Sequence, residues 1–229
     1  MHLATGTRRL AGDTAEMVAA RAGFLDAGHY DAIGEALATA AGRIAAPGVL
    51  VDVGAGTGHH LAAVLDALPD RVGVAVDSST PAVRRAARTH PRMAAVAADA
   101  WRALPLRDEA ASVVLSVFAP RGAREIARIL APGGAVLAIT PTERHLAELR
   151  APLGLLRTEP GKADRLASDL RLHERERRLV ERELRLTADE ALLAARMGPA
   201  GHHDRPVAAL PDTVTATLSV ELTVLSSTA

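Results

Sequence analysis

The 229-residue chain contains no cysteine. That excludes a disulfide framework, a thiolate nucleophile and a cysteine-ligated zinc site within these residues. Aromatic residues are nearly as scarce: two Phe, one Tyr and one Trp. The core must therefore be aliphatic, and Ala, Val and Leu supply most of the 48% hydrophobic content. Net charge is missing too, because Lys plus Arg and Asp plus Glu both total 27. A neutral chain lacks the broad basic footprint of a general nucleic-acid binder, although a local basic patch is compatible with it. No apolar run approaches the roughly 18 residues needed to span a bilayer. The opening "MHLATGTRRLAGD" has no apolar block of the signal-peptide kind. A soluble cytoplasmic protein with no membrane partner is expected. The length suits one α/β domain with a full core.

What is present alternates. Residues 13–25 read as a helix, with Asp13 as N-cap three residues before Glu16 and with Met17, Val18, Phe24 and Leu25 on one face. Residues 31–45 read as a second helix. "GVLVDVG" (48–54) is a short apolar run ending in glycine, as buried parallel strands are. Strands are expected again at 71–77, 93–99, 111–120 and 135–140, with helices at 59–68, 80–90 and 122–130. Pro81 sits near the first position of one of these helices. Such alternation means right-handed βαβ units and a mostly parallel sheet with helices on both faces.

The C-terminal third is different. Residues 143–178 are charged and helix-prone, and read as an insertion or cover over the sheet. "LVERELRL" (179–186) is ambiguous between helix and strand. "TADEALLAARM" (187–197) opens with Thr187 and Glu190 at capping-box spacing. In "VTATLSVELTV" (214–224), Val214, Ala216, Leu218, Val220, Leu222 and Val224 share one face, which predicts an antiparallel or edge strand. If it lies at an edge, it offers pairing for a homodimer. The organisation expected is an N-terminal helical lid or substrate segment (1–46), a nucleotide-binding core (47–141), and a cover with the remaining strands (142–229).

"VDVGAGTGHH" carries the chemistry. Asp52 ends a strand, and Gly54, Gly56 and Gly58 turn the chain into a helix, letting backbone approach a ligand closely. A hydride-transfer fingerprint would need glycine at 59, where His59 stands. The spacing is instead G-x-G-x-G behind an acid, and it resembles the first motif of class I S-adenosylmethionine-dependent methyltransferases. Further matches follow in order. Asp77, followed by Ser78, ends the second strand, where a carboxylate suits a ribose diol and repels a phosphate. "ADAWRALPL" (98–106) matches the third-strand loop, where the resemblance puts Asp99 and Ala100 against adenine. "APGG" (131–134) matches the turn before the fifth strand. The cofactor implied is S-adenosyl-L-methionine. Its candidate residues are Asp52, Gly54, Ala55, Gly56, Thr57 and Gly58, with His60 behind them. Asp77, Ser78, Asp99, Ala100 and Val117 complete the set.

His59 and His60, taken with His202, His203 and Asp204, raise a metal site as an alternative. Adjacent histidines on a helix point in different directions, and nothing in the sequence joins the two groups, so no metal is expected. The run "RLHERERRLVERELR" reads as a solvated face with internal ion pairs, with an RNA-facing role as the minority reading.

The stretch "GDTAEMVAARAGFLDAGHY" (12–30) holds half of the aromatic residues. It closely resembles the segment before the cofactor domain in the rRNA (guanine-N1)-methyltransferases. The likeness continues through "DVGAGTGHH", "FAP" (118–120), "ILAPGGAVLAITPTERHLAEL" (129–149) and "LRLTADEALLAARM" (184–197). It implies methylation of N1 of a guanine in a 23S rRNA hairpin, an activity that in some members confers resistance to macrolide-type antibiotics. Two departures stand out. The family's N-terminal module of four zinc-binding cysteines has no counterpart here, so either it precedes Met1 in a longer chain or this member lacks it. After Met197 the family continues with Thr-Pro and aromatics, where this chain has "GPAGHHDRP".

Guanine N1 must lose a proton before it attacks, and a flat base needs a surface to lie on. The opening segment offers Asp13, Glu16, His29 and Tyr30 as a lid. Phe118, after the fourth strand, offers a platform on the ligand-binding edge of the sheet. Asp13, His29, Tyr30 and Phe118 are therefore the catalytic candidates, with none singled out as the base. Core packing is the preferred reading for Phe24, while for Tyr30 core and pocket edge stay equally open. The rival functions are methylation of a small molecule or peptide in secondary metabolism, and a catalytically silent cofactor-binding relative.

Overall fold

The computed structural model describes residues 12–119, 122–155, 162–198 and 210–227. Its centre is a seven-stranded sheet. The strands are β1 (Val49–Val53), β2 (Gly73–Asp77), β3 (Met93–Ala97), β4 (Ala111–Val117), β5 (Leu130–Pro141), β6 (His173–Thr187) and β7 (Thr213–Ser226). Their order is β3-β2-β1-β4-β5-β7-β6. The first five pair in parallel, and β7 inserts antiparallel between β5 and β6.

β4 shows why continuous apolar runs become central parallel strands. All seven of its residues are buried. Val113, Leu115 and Val117 point into one core, and Ala111 and Val114 into the other. β5 divides the same way, with Leu137 and Ile139 opposite Val136 and Ala138. A strand covered on both faces has no polar side to display. The larger core also takes in the helices α1 (Ala15–Asp26), α2 (Asp31–Ala41), α3 (His59–Ala67) and α8 (Ala188–Arg196). The smaller one lies beneath α5 (Ala123–Ile129) and the end of α7 (Lys162–Leu170). The two remaining helices, α4 (Thr80–Ala86) and α6 (Ala147–Leu153), follow β2 and β5.

Several local expectations hold. Thr187 and Glu190 form the reciprocal capping box of α8. Pro81 lies in the first turn of α4. Ala216, Leu218, Val220, Leu222 and Val224 of β7 line the larger core, with Val214 packed against it. Other expectations need correction. The cap of α1 is Thr14, whose hydroxyl accepts from Met17 N–H, and Asp13 is engaged elsewhere. The segment expected to be cover becomes strand from His173, and the ambiguous stretch is the middle of β6. Its ion pairs are partly internal, as in Arg177–Glu174, and partly to other elements, as in Arg43–Glu176 and Arg144–Glu181. β7 is not an edge: it is paired on both sides and β6 is the outer strand. That placement removes β7 as a pairing surface for a homodimer. Among the described residues, no helix is long and apolar enough to cross a membrane. Pro120, His202, His203 and Asp204 lie outside the described residues.

Gly58 shows how tightly the sheet and its helices meet. It caps α3 with φ of 77°, and a Cβ there would lie 2.9 Å from Met93 Sδ and 3.1 Å from Ala86 Cβ. The methionine tip can move, but the α4 backbone cannot follow easily. Gly58→Ala is expected to cost about 1–3 kcal/mol from strain and overpacking. In a thermal unfolding scan this should appear as a fall of about 3–10 °C in Tm. An unchanged Tm would show that α4 gives way.

Candidate active site

β1 lies between β2 and β4, where the sheet's strand order reverses, and the crevice at the strand C-termini is where open α/β sheets bind ligands. The turn leaving β1 has Gly54, Gly56 and Gly58 at φ of 78°, 54° and 77°. Two of its amides, Gly54 N–H and Ala55 N–H, donate to the Val76 carbonyl. That pulls the turn against the end of β2. Asp77 then locks it: its Oδ2 accepts from Gly56 N–H at 2.8 Å and its Oδ1 from Ser79 N–H at 2.8 Å. Each carboxylate oxygen keeps a further lone pair for a ligand hydroxyl. Ala98 N–H donates to the Asp77 carbonyl, which brings the third-strand loop alongside. There Asp99 Oδ1 accepts from Trp101 N–H and fixes the bend. Ala100 is half-buried, and its carbonyl would clash with any Cβ at Gly122.

The electrostatics of this turn are unbalanced. Asp52 is 2% exposed, and its Oδ1 has no hydrogen-bond partner among the described residues. Burial together with the nearby Asp77 pushes its carboxyl up to about 7. Burial raises Asp77 as well, while the Ser79 and Gly56 amides pull it back. His60 Nδ1 is also buried without a described partner, and burial pushes its ring down to about 3, so it is neutral at pH 7. An unsatisfied buried polar atom costs about 1–3 kcal/mol. Two such atoms flank this one turn, beside the fixed carboxylate of Asp77.

Of the lining expected from sequence, Asp52, the glycine turn, Asp77 and the Asp99–Ala100 loop come together. Ser78 is adjacent but exposed. Thr57 faces inward, its carbonyl accepting from Thr89 Oγ1. Val117 is buried at the end of β4. His59 meets the His60 ring edge-on and lies 3.9 Å from Asp31, turned away from the crevice.

The catalytic candidates separate into two places. Asp13 lies over the turn after β2, ion-paired to Arg21. His29, Tyr30 and Phe118 belong to a ring cluster. Tyr30 packs edge-on against the fully buried Phe24, with centroids 5.0 Å apart, and is itself 2% exposed. Its hydroxyl lies 3.0 Å from His145 Nε2. His145 Nδ1 accepts from Ser219 N–H, so the neutral ring carries its proton on Nε2 and donates it to Tyr30. Burial and Arg150 push His145 down to about 4, and burial raises Tyr30, so both stay uncharged at neutral pH. Phe118 stacks on His145 at 5.4 Å and is 41% exposed, with φ of 53°. The left-handed backbone is costly for a non-glycine residue, and the ring it carries is exposed at the end of a central strand. His29 lies behind, 3.1 Å from Glu190 of α8, in ion-pair range but outside hydrogen-bond geometry.

Two residues here carry no motif of their own. His145 stands inside "TPTERHLAEL", a stretch whose family likeness is the available signal. Arg21 stands likewise inside the family-like stretch 12–30, but its place against Gly56 arises only because α1 folds back over the turn.

Comparison with known proteins bears on the fold and the family. Residues 50–134 match the methyltransferase-domain family. The YcgJ protein of Bacillus subtilis has a similar fold, with a TM-score of 0.59 at 17% identity over 88% of this chain and 100% of that one. A 23S rRNA (guanine(748)-N1)-methyltransferase of Streptomyces fradiae is 49% identical, covering 94% of this chain and 81% of the relative. A protein of Micromonospora griseorubida, assigned as a 23S rRNA (guanine-N1)-methyltransferase, is 48% identical over 97% of this chain and 83% of its own length. Identity of 48–49% along nearly the whole chain, on a sheet that matches the methyltransferase domain, makes the protein a member of the rRNA (guanine-N1)-methyltransferase family.

Proposed function

We propose that the chain binds S-adenosylmethionine in the Asp52–Gly56–Asp77 crevice and methylates N1 of a guanine in 23S rRNA. The observation that carries the cofactor assignment is Asp77. Its carboxylate is pinned by two backbone amides at the end of β2, with lone pairs left for a diol. When bound, the cofactor supplies an electrophilic methyl group on a sulfonium, open to in-line attack. Asp52 and His60, with unpartnered buried atoms beside the turn, fit its charged amino-acid end.

Phe118 offers the exposed face on which a guanine pulled from its stack lies, and His145 supports that ring from behind. With the base held there, N1 would face the cofactor's methyl group, and the N1 proton would pass to solvent. Neither His145 nor Tyr30 is suited to take it, since one is too weakly basic and the other holds its own proton. Positioning therefore supplies the rate. Residues 12–46, with α1 and α2, act as the lid that carries Tyr30 to the site. We extend the reading to antibiotic protection: host cells making the protein should tolerate macrolide-type drugs better.

Cofactor affinity should depend on pH through Asp52. In the free protein its carboxyl titrates at about 7. A bound cation favours the ionised form and lowers that value. Above pH 7 the carboxylate is already charged. Below it, binding must expel a proton, and affinity is expected to fall by up to about tenfold per pH unit. Calorimetry at pH 6 and pH 8 should show this loss with proton release, and Asp52→Asn should flatten it. An equal affinity at both values would remove Asp52 from the site.

Transfer of tritiated methyl groups to bacterial ribosomal RNA, run against a metabolite and peptide extract, tests the substrate. Label in the RNA supports the rRNA assignment. Label only in the extract would establish the small-molecule alternative.

A further inference from the structure

We propose that Arg21 is the anchor for the cofactor's amino-acid carboxylate, and that Asp13 competes with that carboxylate for the same guanidinium. The inference rests on the S-adenosylmethionine reading above. Its starting point is Gly56, where a Cβ would lie 3.0 Å from Arg21 Nη1 and 3.4 Å from Arg21 Cδ. The side chain of Arg21 therefore lies directly on the glycine turn.

A second cation beside a sulfonium is unfavourable unless it meets an anion. The cofactor carries one anionic group, its carboxylate, and a planar guanidinium fork suits that shape. Arg21 is already held in place on its other side, where Nη2 donates to the Met197 carbonyl at 2.7 Å. Its Nη1 is engaged by Asp13. That bond is the one a second carboxylate contests.

Asp13 is poised for such an exchange because its own backbone is tied to the same site. Its carbonyl accepts from Ser79 Oγ at 2.7 Å, and Ser79 N–H donates to Asp77. Gly12 lies flush on Ser79, where a Cβ would come within 2.9 Å of the Ser79 backbone. The start of α1 thus spans the turn after β2, from Asp77 to Arg21.

Two nucleosides separate the parts of this claim. S-Adenosylhomocysteine carries the amino-acid end, and 5′-methylthioadenosine has the same ribose, adenine and thioether without it. Calorimetric titration of the full chain with each is the test. Arg21→Met is expected to weaken S-adenosylhomocysteine about 10- to 100-fold, the range for hydrogen bonds to a charged group, and to leave 5′-methylthioadenosine unchanged. Arg21→Lys should recover part of the loss. Asp13→Asn should tighten S-adenosylhomocysteine several-fold by removing the competitor. Equal weakening of both nucleosides by Arg21→Met would mean a structural role and overturn the anchor. Weaker or unchanged binding by Asp13→Asn would overturn the competition. If the unaltered protein binds neither nucleoside, the cofactor reading itself fails and takes this inference with it. Thermal unfolding of each variant without ligand identifies a folding defect, and Asp13→Asn, a near-isosteric change, keeps the test decisive if Arg21→Met does not fold.

Discussion

Asp77→Ala is expected to weaken nucleoside binding by at least about 100-fold, because two charge-assisted hydrogen bonds to the ribose disappear at once. The residue does two jobs with one carboxylate. It holds the Gly56 and Ser79 amides at 2.8 Å each, and its remaining lone pairs face the crevice. Removing it leaves both amides without an acceptor and lets the turn drift from β2. Asp77→Asn separates the two effects. The amide keeps one carbonyl oxygen but loses the charge and the second acceptor, so a smaller loss, about tenfold, is expected. Ser78→Ala, at the exposed neighbour, should change affinity little. Titration with 5′-methylthioadenosine reads the ribose interaction without the amino-acid end. If Asp77→Ala binds it as the parent does, the ribose does not lie at β2.

Phe118→Ala should have its effect on the other substrate. The ring is 41% exposed and held at φ of 53°, so truncating it removes little core packing. On the proposed reading its exposed face serves the base and not the cofactor, so binding of S-adenosylhomocysteine should stay within about twofold of the parent's. Stacking of a base on an aromatic ring is worth about 1–3 kcal/mol, which predicts a fall of about 10- to 100-fold in kcat/KM for methyl transfer to rRNA. Phe118→Tyr keeps a flat face and should keep most of the activity. A normal rate from Phe118→Ala would move the base elsewhere and leave the stack on His145 as packing alone.

The turn between β1 and α3 and its carboxylates were legible because such a turn forces residue types into short contiguous stretches. A carboxylate at a strand end and glycines at positive φ leave the same mark in sequence as in structure: Asp52, the glycine turn and Asp77 sit where they were expected. Alternation of strand and helix was legible for the same reason, since each βαβ unit is nearly local. β6 was not. Its Arg, Glu and Leu residues are good helix formers, and Val180, Leu184 and Leu186 become a buried stripe only through pairing with β7. Of the two readings of β7, antiparallel strand or edge, the first holds, and the second fell because β6 could not be recognised as a strand. The N-cap of α1 moved by one position because Asp13 and Thr14 are both capping types, and Arg21 drew Asp13 away. Arg21 and His145 gain meaning only from what lies across the fold, Gly56 for one and the Tyr30 and Phe118 rings for the other. The ring cluster also resolves the question of Tyr30: it is core by burial, and its hydroxyl reaches His145 beside the exposed Phe118.

The most direct test of rRNA methylation at N1 is primer extension on 23S rRNA incubated with the protein and S-adenosylmethionine. A methyl group on N1 blocks the Watson–Crick face of guanine, so reverse transcriptase should stop one nucleotide before a single guanine. The first position to inspect is the one for which the Streptomyces fradiae relative is named. The stop should vanish when S-adenosylmethionine is omitted, and with Asp77→Ala. An unbroken transcript from rRNA that has nevertheless taken up labelled methyl groups would place the methyl off N1. No label in the RNA at all would contradict the assignment of rRNA as the substrate.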